Sequence, residues 1–460
     1  MKYIALAIVV SLFVRSGEAQ MQVGMNPTAP SDWGRAWVWK DQMRQARWFA
    51  NGPWWLVQWD HGYYPAGRWV CEWTGNDAPK FVRGFGKVDE VLPGLAVLQV
   101  DYPDKGLVIQ PYNRKAGSVY VGDVADMHLW MPGVNRSGSP FHPEYVASLK
   151  PFGALRFMDW QATNRSTLAT WGQRRLPQDP QQWEAGDTRG VALEHCLALA
   201  KECDADPWLC VPHLADDDFI RRMAETIRDR LPDGRTCYLE FGNEFWNTAP
   251  GFACGAWFKS QAQLTGQPAA KLYGAAVKRM TGIVRPILGA RAKIVLAGQA
   301  ANVWQAKTAA TAAGPGTFDA VSCAWYFRTA IGWQGTADHT VSDVLDACQS
   351  YVDTTLPAQL KAHADLAGSH GVPLVCYEGG QHLSVSGTHP IAAEVVQAQR
   401  HPRMGDLYRA ALAKCREAGV TLAVGYSDVG PWKPEGSWGS REHMTDYDSP
   451  KWRALTEAAN

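Results

Sequence analysis

From about residue 150 onward, short and wholly apolar runs alternate with stretches whose apolar positions recur at helical spacing. The apolar runs are residues 154–160 (ALRFMDW), 208–213 (WLCVPH), 237–241 (CYLEF), 293–297 (KIVLA), 320–326 (AVSCAWY), 373–377 (PLVCY) and 421–426 (TLAVGY). They are too short for core helices and rich in β-branched and aromatic residues. Strands buried on both faces, as in a parallel sheet, carry this pattern. Residues 191–201, 219–231, 272–288, 342–367 and 404–418 read as helices, the second capped by Asp216 and Asp217. An eighth strand candidate, residues 22–26 (QVGMN), comes first. Eight strands in strand–helix order predict an α/β fold, the (β/α)8 or TIM barrel.

Residues 33–130 interrupt this order. Runs at 69–73, 96–100, 106–110 and 118–121 are separated by Gly, Pro, Asn and Asp, as antiparallel strands with turns would be. The reading is residues 1–19 as a leader, 20–32 carrying the first barrel strand, 33–130 as a β-rich insertion or subdomain, and 131–460 as the rest of the barrel. A freestanding N-terminal sandwich is the alternative for 33–130.

Met1 and Lys2 precede an apolar run over residues 3–14, and Gly17-Glu18-Ala19 follow. This is the layout of a signal peptide cut near Ala19, with an N-terminal anchor as the alternative. It implies a secreted or periplasmic protein with no membrane attachment once mature. The ten cysteines permit disulfides in that setting. Cys210, Cys237, Cys323 and Cys376 fall inside apolar runs, where they equally suit buried thiols.

Forty-five basic residues balance forty-five acidic ones. That excludes the basic footprint of a nucleic-acid partner, a local patch apart. A 46% hydrophobic share excludes wholesale disorder. The chain has 22 tryptophans, and a groove that stacks flat ring faces is one use for them.

In such a barrel, reactive groups stand at the C-terminal ends of strands. Strand four is followed by Gly242-Asn243-Glu244-Phe245-Trp246-Asn247, and strand seven by Glu378-Gly379-Gly380. Two carboxyl groups facing one cleft are what glycosidic cleavage requires. One hands a proton to the leaving oxygen, and the other attacks the anomeric carbon or activates water. A lone Glu at a strand end has a plainer reading as a solvent-facing or capping group.

With these residues the chain resembles the clan A glycoside hydrolases, the retaining (β/α)8 superfamily. The resemblance rests on Asn243-Glu244 and Glu378 and covers residues 150–460 plus the first strand. It implies Glu244 as general acid/base and Glu378 as nucleophile, about 5–5.5 Å apart in a retaining enzyme. It further implies Asn243 on the sugar 2-hydroxyl, with Tyr326 and Arg156 beside Glu378. A cation and a phenol there should keep the Glu378 pKa low, and a drier setting should raise that of Glu244. Arg156 as a core ion-pair partner is the alternative. The resemblance also suggests His213, at the end of strand three, as a sugar contact or else a structural histidine. A tryptophan after strand eight should floor the reacting-sugar subsite, Trp432 or alternatively Trp438. Strand two reads Arg156-Phe157-Met158-Asp159-Trp160 instead of the Arg-x-Pro of several clan families. Asp159 and Trp160 are therefore candidates for the cleft. Trp160, Trp246, Trp304, Trp325 and Trp333 fall near rim positions, as platforms or as core aromatics.

The chain has no H-x-H, H-E-x-x-H, Walker loop or G-x-S-x-G elbow. The expectation is a cofactor-free, metal-free hydrolase whose partner is a polysaccharide or oligosaccharide, with a β-linked glucan or related glycan as substrate. A non-catalytic carbohydrate-binding protein and a transglycosylase of the same fold are the rivals. The β-rich insertion either walls the cleft or binds glycan itself, through tryptophans such as Trp69 and Trp73.

Overall fold

A computed structural model describes residues 21–460 apart from 50–53, 59–62, 85–86, 101–105, 112–113, 117–118, 184–185, 330, 332–335 and 337. The expected leader and Trp333 lie outside the described residues.

Eight parallel strands close into a barrel in simple chain order. They are β1 (Gln22–Asn26), β2 (Ala154–Arg156), β3 (Asp206–Val211), β4 (Cys237–Phe241), β5 (Ala292–Ala297), β6 (Ala320–Phe327), β7 (Leu374–Gln381) and β8 (Val420–Tyr426). β8 pairs back onto β1, from Gln22 opposite Leu422 to Asn26 opposite Tyr426. The strands are buried almost throughout, which accounts for their unbroken apolar runs. Alternate residues form two clusters. Ala154, Trp208, Val295, Ala320, Ala324, Val375, Tyr377, Leu422 and Val424 fill the barrel interior. The other, larger cluster lies between barrel and helices and extends into the N-terminal sheets.

β2 is shorter than the seven-residue run predicts. After Arg156 the chain turns, with Gln161 N–H donating to Phe157 O at 2.9 Å and Ala162 in the left-handed region at φ 49°. The turn carries Asp159 and Trp160 away from the strand line. The predicted helices form as Leu193–Glu202, Asp217–Arg230, Ala269–Leu288, Val341–Ser369 and Pro402–Glu417. Asp216 caps the second by accepting from Phe219 N–H at 2.7 Å. Helices outside the predicted set include Ala253–Thr265 and Val303–Ala313. The latter buries only alanines, at 306, 309, 310 and 313, so its apolar stripe has helical period but no bulky residue.

Between β1 and β2 the chain forms antiparallel sheets. One has the strand order Ala125–Trp130, Gly67–Thr74, Leu95–Val100, Lys87–Leu92. A second has the order Arg47–Phe49, Trp54–Gln58, Leu107–Gln110, Lys80–Arg83. Arg114–Ala116 and Val119–Val121 pair separately. Trp39, fully buried, joins sheets to barrel by packing on Phe141 at 5.3 Å and Trp160 at 5.8 Å. Trp69 and Trp73 are buried, their indole N–H groups donating to Pro65 O and Asp77 O. They are sheet core, which removes them as glycan platforms. All ten cysteines are buried free thiols, so the disulfides that their even number permitted are not formed. Among the described residues no helix is long and apolar enough to cross a membrane.

Candidate active site

The end of β4 turns sharply. Gly242 has φ 66°, and a Cβ there would stand 2.4 Å from Cys254 Sγ. Glu244 itself has φ 45°, a conformation that side-chain-bearing residues seldom adopt. Such strain is found at functional sites where the surroundings enforce it. Here the turn delivers the Glu244 carboxyl to the barrel mouth. Its Oε1 accepts from Tyr377 Oη at 2.8 Å and its Oε2 from Asn247 Nδ2 at 2.8 Å. Asn247 Oδ1 accepts from Ala249 N–H, which sets the amide so that its nitrogen faces Glu244.

Glu378 extends from β7. The next residue has to be glycine, because a Cβ on Gly379 would fall 2.4 Å from the Trp325 indole that packs flat against the backbone. Glu378 Oε1 accepts from Tyr326 Oη at 3.1 Å and Oε2 from Arg156 Nη1 at 3.0 Å. Glu244 and Glu378 line the same cleft, about 780 Å³ in volume, together with Asn243, Tyr326, Tyr377 and Trp438.

Arg156, completely buried on β2, ties the site together. Nε and Nη2 both donate to Glu240 Oε2, Nη1 also donates to Asn26 Oδ1, and Nη2 donates to Asn243 Oδ1 at 2.8 Å. It is thus both a partner of Glu378 and a core ion-pair partner. Asn243 Nδ2 donates in turn to Asn164 Oδ1 at 2.8 Å. Glu240 is a residue that sequence reasoning passed over, because it reads as one polar position inside an apolar strand run. Its Oε2 also accepts from Trp208 Nε1 at 3.0 Å.

The electrostatics overturn one expectation. Burial pushes Glu378 up to about 8, outweighing Arg156, and the nearby Glu244 charge adds to the rise. The Tyr326 phenol opposes it too weakly. The physical reason is burial, which a single guanidinium that also bonds Glu240 does not offset. Burial likewise raises Glu240 against the pull of the same arginine. Burial holds the phenols of Tyr326 and Tyr377 well above their ordinary value, so both stay neutral donors.

Of the remaining candidates, Trp246 and Trp438 line the cleft. Trp438 comes from the segment after β8, where its ring crosses His382 edge-on at 5.8 Å. Ser437 O accepts from Gln381 Nε2 and Lys451 Nζ, both at 2.7 Å, which anchors that segment to the end of β7. Trp432 is placed elsewhere: it is buried, donates to Gly439 O at 2.8 Å, and packs under Lys451 and Arg400. The cleft tryptophan after β8 is therefore Trp438. Trp160 is also outside the cleft, fully buried among Trp39, Phe141 and Phe157 with its N–H on Thr28 O. Asp159 stands behind the cleft residue Tyr426 and hydrogen-bonds it, and burial raises its pKa to about 6. His213 is buried beside Trp257 and does not line the cleft; burial depresses it to about 4 and leaves it neutral. Trp325 is core and Trp304 is exposed on a helix. Among the described residues no group of three or more His, Cys, Asp and Glu side chains is arranged to hold a metal.

No family model and no curated protein matches this chain. It is similar to solved structures that include a GH51 arabinofuranosidase from Xanthomonas axonopodis pv. citri, at 15% identity over 64% of this chain and 62% of that one, with a TM-score of 0.41. A family 51 alpha-L-arabinofuranosidase from Bifidobacterium longum matches at 15% over 70% of this chain and 66% of its own, TM-score 0.45. An endo-beta-1,4-mannanase from Cellulomonas fimi matches at 10% over 67% and 63%, TM-score 0.38. The chain thus spans just under two thirds of the length of these relatives.

Proposed function

We propose that this protein is a retaining glycoside hydrolase acting on a polysaccharide or its oligomers. The observation that carries the reading is a pair of carboxyl groups, Glu244 in the turn just beyond β4 and Glu378 on β7, lining one cleft in unlike surroundings. Glu378 has a cation and a phenol directed at its two oxygens. Among the described residues, the donors to Glu244 are the neutral Tyr377 hydroxyl and Asn247 amide.

In this mechanism Glu378 attacks the anomeric carbon while Glu244 gives a proton to the departing glycosidic oxygen. Water then enters, Glu244 takes its proton, and the bond to Glu378 breaks. Raised to about 8, Glu378 has to lose its proton before it can attack, and Arg156 and Tyr326 stabilise the carboxylate that results. Asn243, fixed by Arg156 and Asn164, presents its amide to the sugar 2-hydroxyl. Trp246 and Trp438 give flat faces on which a pyranose can stack. Residues 1–19 act as an export leader, and the substrate is a β-linked glycan.

The test is chemical rescue. Glu378→Ala is expected to lose turnover by orders of magnitude, and azide to restore it with a glycosyl azide of inverted anomeric configuration. Rescue giving the retained anomer, or undiminished turnover, would remove Glu378 as nucleophile. Glu244→Gln is expected to cost about 10²–10⁴-fold on substrates with poor leaving groups and little on good ones. Equal loss on both kinds argues against the acid role.

A further inference from the structure

A second cavity, about 720 Å³, opens between the N-terminal sheets and a barrel loop, lined by a different set of residues from the cleft. Its volume falls within the roughly 300–1,000 Å³ of ligand sites. One wall is a tryptophan pair. Trp48 and Trp55 are directly opposite on neighbouring strands, with ring centroids 4.9 Å apart and planes at 52°. Trp48 is 37% exposed. Large indoles held at a surface leave apolar ring faces in water, a cost that a ligand with an apolar face would relieve.

The rest of the wall is polar and mixed. Asp126 and His128 come from the edge strand Ala125–Trp130, and Asp179 and Gln181 from the loop after β2. The edge strand is bulged between Ala125 and His128, and Asp126 has φ 44°. Bulges of this kind re-aim side chains out of the ladder. Asp126 Oδ2 accepts from Thr74 Oγ1, and Asp179 Oδ2 from Leu176 N–H, so each carboxylate keeps acceptor capacity. His128 commits Nδ1 to Asp41, which raises its pKa, and leaves a half-exposed ring edge.

Apolar ring faces beside carboxylate, imidazole and amide groups match a pyranose, which has a C–H face and an equator of hydroxyls. Three acids, Asp41, Asp126 and Asp179, against Arg44 and His128 disfavour a polyanion. We infer that this cavity is a second carbohydrate site that holds a neutral pyranose segment of a glycan, non-catalytic and sharing no lining residue with the cleft of the carboxyl pair. The ligand class follows from the cavity's own chemistry, so the site does not depend on turnover in the cleft.

The experiment is affinity electrophoresis of the full chain in the Glu378→Ala background, which keeps the gel polymer intact. The polymers are hydroxyethyl cellulose, barley β-glucan, galactomannan and arabinoxylan, with polygalacturonate as the acidic arm. At least one neutral polymer should retard the protein. Adding Trp48→Ala or Trp55→Ala should weaken that binding about tenfold. Trp48→Ala alone, with Glu378 present, should leave hydrolysis of a short aryl glycoside unchanged. Retardation by no neutral polymer, retardation by polygalacturonate alone, or equal retardation with and without Trp48 would each overturn the site. If Trp55→Ala melts below the working temperature, the more exposed Trp48 decides. Failure of the cleft reading shows separately, as absent hydrolysis by the parent protein.

Discussion

A buried carboxyl beside a guanidinium would ordinarily be strongly acidic, yet burial raises Glu378 to about 8 against the pull of Arg156, which also pairs with Glu240. Two predictions belong to this scale. The first concerns stability. The folded value of about 8 exceeds the ordinary 4.5, so the folded state holds a proton that the unfolded chain releases earlier. Stability should therefore fall as pH rises from 4.5 towards 8. In Glu378→Gln the melting temperature should fall less over the same interval; parallel melting curves would refute the raised value. The second concerns Glu240, a positioning residue that acts through Arg156. Glu240→Gln removes a competing charge, which lowers Glu378 and moves the acid limb of kcat/KM to lower pH. A purely structural role would lower activity without moving that limb. Glu244 and Glu378 were legible as residues because strand ends are predictable from apolar runs. Glu240 was not, because nothing in a sequence tells an inward-facing acid on a strand from an error in the pattern.

At the level of elements, the barrel strands were legible and the helices only partly so. A strand buried on both faces must be apolar throughout, and that leaves a local mark. The helix Val303–Ala313 buries alanines, whose small side chains give a weak apolar signal. β2 ended early because its register is set by its neighbours, with Ala154–Arg156 pairing Asp206–Trp208 and no further. The contact between β6 and β7 makes a prediction of its own. In Gly379→Ala the new methyl would overlap the Trp325 ring. Overpacking of this sort costs about 1–3 kcal/mol. The melting temperature should drop, and kcat should drop further than stability loss explains, because Glu378 shifts with its neighbour. A variant with normal kcat and a normal melt would show that β7 has slack.

For the whole molecule, the informative comparison is between Trp432 and Trp438, six positions apart on one segment. Trp438→Ala is expected to raise KM with the fold intact. Trp432→Ala is expected to lower stability by about 3–5 kcal/mol, as loss of a large buried ring does, with no comparable rise in KM for the protein that remains folded. Calorimetry and steady-state kinetics on the two variants check this, and the reverse outcome would exchange their roles. Alternation of apolar runs with helical periods, together with acids just beyond two of those runs, was enough for the chain alone to specify a barrel and the place of its carboxyl pair, since each of those signals is local. Which tryptophans face a ligand and which are core, that Arg156 serves two acids, and that Trp48 and Trp55 meet a barrel loop were decided only by tertiary packing. Such facts depend on contacts between residues far apart in the chain, and burial and shared charge acquire their values only when those contacts form.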